Sequence, residues 1–67
     1  MTTAALMNQT EKAAAELLNN PLLSPLYRTA IQRKIVAMKA NPTAKVVCAT
    51  LADLELIATK VLNGSQP

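Results

Sequence analysis

Apolar residues along this chain fall into three runs of helical spacing, separated by Asn-Pro breaks at Asn20-Pro21 and Asn41-Pro42. In the last run, Val47, Leu51, Leu54, Ala58 and Val61 alternate spacings of four and three, the seam of a left-handed coiled coil. Val46, Thr50, Ile57 and Leu62 widen that stripe, and Leu56 falls outside it. In the middle run, at about 100° per residue, Tyr27, Ile31, Ile35 and Met38 share one face, with Ala30 and Ala37 at its edge. Val36 falls on the polar side, either as a stray exposed residue or as part of a second contact surface. In the first run Leu6, Thr10, Ala13 and Leu17 repeat, flanked by Ala14 and Leu18. Those mostly small side chains allow another helix to come close.

Boundary signals turn these runs into elements. Thr2 or Thr3 can cap the first helix, with a rival start at Asn8, three residues before Glu11. It stops before Pro21, because the residue preceding a proline is pushed out of the α region. Leu22 and Leu23 lie in the connection and are expected to plug one end of the bundle. Ser24-Pro25 is a strong start, with Ser as cap and Pro at the first helical position. Asn41 or Thr43 caps the third helix, and Asn63-Gly64 ends it. The predicted helices span about 3–19, 25–40 and 43–62, with 64–67 a short disordered tail. The two Asn-Pro breaks share too few flanking identities to indicate a repeat, and a solenoid needs at least three units.

Composition agrees with an all-α chain. Of the 67 residues 51% are hydrophobic but only 1% aromatic, whereas strands are enriched in aromatic and β-branched residues. A single domain of this size has a thin core. The usual supplements are closed off, because one cysteine cannot form an internal disulfide and the absence of histidine leaves a zinc site short of ligands. Self-association is the remaining supplement. The broad stripe of the third helix exceeds what one helical hairpin needs to cover. The sequence therefore predicts a homodimeric helical bundle joined mainly through Val47, Leu51, Leu54, Ala58 and Val61, with help from the first helix.

Charge singles out the middle helix. The formal net charge is +3, yet residues 28–45 hold Arg28, Arg33, Lys34, Lys39 and Lys45 without one carboxylate. Such a patch attracts nucleic acid, anionic lipid or an acidic protein surface, unless it is only a solvated face that keeps the chain soluble. DNA reading by a helix-turn-helix needs polar side chains in the first turns of its second helix. Here those turns read Thr43, Ala44, Lys45, Val46, Val47, Cys48. A membrane-surface helix usually carries Trp or Phe, and no stretch approaches a membrane span. Arg and Tyr are enriched at binding hot spots, so Tyr27, Arg28, Gln32, Arg33, Lys34 and Lys39 are the candidate binding residues for an acidic protein partner. Nucleic-acid binding through phosphate contacts is the alternative.

Catalysis finds little support. There is no histidine, and Asp53 with Glu55, like Glu11 with Glu16, diverge on a helix. Cys48 reads as a small buried hydrophobe near the seam, and no glycine-rich loop could cradle a phosphate. No metal, cofactor or small-molecule substrate is expected. The first residues lack a positive n-region, and Ala4–Met7 is too short for a signal core, so a cytoplasmic location is the simplest expectation. The sequence thus suggests a non-catalytic regulator or inhibitor that covers a partner's surface, by analogy with small proteins that phages and mobile elements encode.

Overall fold

A computed structural model describes residues 2–67. The described residues form three helices, α1 (Thr3–Leu18), α2 (Pro25–Ala40) and α3 (Ala44–Asn63), and no strand. At 1.5 Å per residue the 20-residue α3 is about 30 Å long, close to the longest dimension of the molecule, 33 Å.

Each helix starts with the same device. Thr2 Oγ1 accepts from Ala5 N at 3.1 Å, Ser24 Oγ from Tyr27 N at 3.2 Å, and Thr43 Oγ1 from Val46 N at 3.2 Å. Each hydroxyl satisfies one orphan N–H of a first turn, worth about 1 kcal/mol. Thr2 thus takes the start for which Thr3 and Asn8 were the rivals. At the end of α3, Gly64 turns left-handed at φ 69°. Ser65 N then reaches Lys60 O at 2.9 Å and Gly64 N reaches Val61 O at 3.3 Å, the paired bonds of a Schellman stop.

Partners across the helices show the topology. Glu11 of α1 meets Lys39 of α2, and Leu18 meets Arg28, so residue numbers rise on one helix as they fall on the other. Lys34 of α2 meets Asp53 of α3, while Ser24 meets Gln66 just beyond α3. The chain runs up, down and up, which leaves α1 and α3 parallel. The main core joins Ala14 and Leu17 of α1, Leu23 of the connection, Ile31 of α2, and Leu54, Ile57 and Val61 of α3. Towards the other end Met38 and Val47 are fully buried, as is Thr10. The Thr10 hydroxyl donates to Leu6 O at 2.7 Å, and the buried Thr50 hydroxyl to Val46 O at 2.8 Å, so neither is orphaned.

The seam read as a dimer interface has a different occupant. Val47, Leu54 and Val61 are buried inside this one chain, and Leu51 and Ala58 are half-buried. The stripe of α3 is broad because it supports two helices of its own chain. Cys48 is exposed rather than buried, since one residue beyond Val47 is about 100° around the helix. Of the two leucines expected to plug the bundle end, Leu23 is buried and Leu22 is exposed.

Residues 64–67 also differ from the tail the sequence predicts. Gln66 Oε1 accepts from Ser24 N at 2.6 Å, and its Nε2 donates to Leu22 O at 2.7 Å. One side-chain amide thereby fastens the end of the described chain to the α1–α2 connection. Leu54→Ala is predicted to lower the unfolding free energy by about 2–5 kcal/mol. Leu56→Ala, at an exposed position, should change it by no more than about 0.5 kcal/mol. Urea denaturation followed by helical circular dichroism measures both.

Candidate functional site

The basic helix α2 meets its neighbours along two flanks and solvent along its back. On the α1 side, Arg28 Nη1 donates to Leu18 O at 2.8 Å and Lys39 Nζ lies 2.9 Å from Glu11 Oε1. On the α3 side, Lys34 Nζ lies 2.9 Å from Asp53 Oδ2. Arg28 caps a carbonyl at the C-terminal end of α1, where a cation is favoured by the exposed carbonyls and the helix dipole. Tyr27 is half-buried against the main core. Gln32 and Arg33 are exposed.

The six candidate residues therefore do not form one surface. Tyr27 packs against the core and Arg28 caps α1, while Lys34 and Lys39 are each engaged in a partly solvated ion pair. Among the described residues Arg33 is the cation of α2 with neither an ion pair nor a hydrogen bond. Four cations on α2 face two carboxylates from its neighbours, so the local excess is +2.

What surrounds Arg33 is more apolar than basic. Two residues from the fully buried Ile31, Arg33 sits about 200° around the helix and so on its outer side. Leu26, Thr29, Arg33, Val36 and Ala40 lie on that side at spacings of three and four, and all are exposed. Leu26 is 63% and Val36 69% exposed. A shallow depression lined by Gln32, Arg33, Val36, Ala37 and Ala40 marks its centre. Val36 is thus part of a second stripe rather than a stray residue. The sequence carried that signal in the spacing, but the dense positive charge around it drew attention to the flanks.

Among the described residues no three of the His, Cys, Asp and Glu side chains gather to hold a metal ion, and no helix is long and apolar enough to cross a membrane. No protein-family model, curated protein or solved structure matches the chain.

The ion pairs of α2 are partly open to water, where such pairs contribute little. Lys34→Ala and Lys39→Ala are each predicted to lower stability by less than about 1 kcal/mol, an effect that high salt shrinks. Urea denaturation at low and at high salt checks this.

Proposed function

We propose that this chain is a non-catalytic binding module, which regulates or inhibits a partner protein by covering its surface with the outer side of α2. The observation that carries this reading is the exposed stripe of Leu26, Val36 and Ala40 with Arg33 at its centre. An aliphatic stripe around one unpaired guanidinium matches a protein surface that is apolar with an acidic spot. Arg is favoured in such places because its planar fork can bind a carboxylate through two parallel hydrogen bonds. Tyr27, Arg28 and Lys34 support this surface from behind, and Gln32 and Lys39 lie at its edge.

The same observation weighs against phosphate binding as the main role. Non-specific nucleic-acid affinity scales with the number of free cations. Lys34 and Lys39 each face a carboxylate, while aliphatic side chains occupy the outward stripe. Self-association belongs to the proposed reading as well, with the α3 stripe contributing only its partly open edge around Ala58.

The test combines two measurements. A nuclease-treated lysate of the native host should yield a partner captured by the wild-type protein and lost with Arg33→Glu plus Val36→Asp, both at exposed positions. Fluorescence anisotropy with labelled duplex and single-stranded DNA and RNA at low salt should show no binding by the wild type. Tight binding there that falls steeply with salt would replace this reading with a nucleic-acid one.

A further inference from the structure

The three seams between the helices differ in charge. Lys39–Glu11 crosses the α1–α2 seam and Lys34–Asp53 the α2–α3 seam, each at 2.9 Å. The α1–α3 seam instead opens into a groove of ≈ 310 Å³, and its lining includes Glu16 and Glu55 but no cation among the described residues. Among the described residues neither carboxylate has an ion pair. Two negative groups thus flank an apolar floor and lack the counter-charge that the other two seams contain.

The floor suits a helix. Ala13 of α1 and Ala58 of α3 are small, and both are half-buried beside Leu17 and Leu54. At its edge Leu62 is 87% exposed. Small residues on two parallel helices let a third helix approach closely, as in a four-helix bundle, where packing of this kind repeats at spacings of three and four. The outer stripe of α2 has that spacing, small or aliphatic side chains, and one unpaired cation in the middle.

We infer that copies of this chain associate head to tail, the outer side of α2 of one copy seating in the α1–α3 groove of the next. Arg33 then lies between Glu16 and Glu55 of its neighbour, and Leu26, Val36 and Ala40 cover the apolar floor. This deepens the reading given above, on which it rests, by naming a second copy as an occupant of the α2 surface. The two surfaces that meet are different, so the contact is heterologous and continues into a ring or an open chain instead of closing as a symmetric dimer. One helix face is well below the roughly 800 Å² per partner of a stable interface, so the association is weak and depends on concentration.

Sedimentation velocity up to roughly 1 mM, where weak contacts register, tests this with two variants. One carries Glu16→Gln, Glu55→Gln and Leu62→Gln, the other Arg33→Glu and Val36→Asp; all five positions are exposed, and circular dichroism verifies that each variant stays helical. Wild-type mass should rise beyond two chains as concentration rises, and each variant alone should stay monomeric. An equimolar mixture of the variants should stop at two chains, because only one intact α2 stripe and one intact groove remain to pair. A wild type that stays monomeric or stops at two chains, either variant associating alone, or a mixture that stays monomeric overturns the inference. If association fails while lysate capture is still lost with Arg33→Glu plus Val36→Asp, the α2 reading stands without the second copy. If association persists in that variant, the α2 surface itself is wrong.

Discussion

Burial of the α3 stripe within its own chain is the constraint on which the remaining surfaces depend. A chain of 67 residues with one aromatic side chain has few ways to exclude water. Val47, Leu54, Ile57 and Val61 supply a continuous apolar ridge against which both shorter helices pack. Each such side chain contributes about 1.5–3 kcal/mol when fully buried, a large share of the stability that a domain this small can reach. Because this ridge is largely covered from within, what it leaves open is its edge at Glu55, Ala58 and Leu62.

Electrostatics sorts those other surfaces. Two of the three seams are bridged by a lysine of α2, which aligns α2 between its neighbours with little net stabilisation, as expected for partly solvated pairs. The groove of the third seam lies away from α2, and among the described residues the charged groups that line it are the carboxylates of Glu16 and Glu55. One consequence is a separation of unpaired charge, with Arg33 on the outer side of α2 and Glu16 and Glu55 in the α1–α3 groove. A molecule with opposite charges on separate faces and apolar groups beside both has the ingredients for ordered self-contact. Complementary charge contributes mainly register and encounter rate, and the apolar area supplies the adhesion.

Local chemistry was readable in the chain, and relations across space were not. Ser24, Thr43 and Gly64 act within three residues of themselves, so their capping roles follow from residue type and position. Periodicity likewise identified Val47, Leu54 and Val61 as an apolar stripe, but a stripe does not say which surface will cover it. Its width pointed to a second chain when two helices of the same chain were the cover. Summing charge along residues 28–45 suggested a bare basic face, because Glu11 and Asp53 come within reach of Lys39 and Lys34 only after the helices have packed. Gln66 escaped notice for a similar reason. Nothing in Gly64–Pro67 shows that one amide will match the N–H of Ser24 and the C=O of Leu22.

The central claim is that the inner stripe of α3 belongs to the fold and that the outer side of α2 is the surface for contact. Backbone amide chemical shifts of the isotope-labelled protein, followed by NMR across a concentration series, test it most directly. Concentration-dependent shifts should cluster on Leu26–Ala40 of α2 and, separately, around Glu16, Glu55 and Leu62, with the buried Val47 and Thr50, outside the groove, unchanged. Shifts centred on Val47 and Thr50, or no shifts at α2, would contradict it.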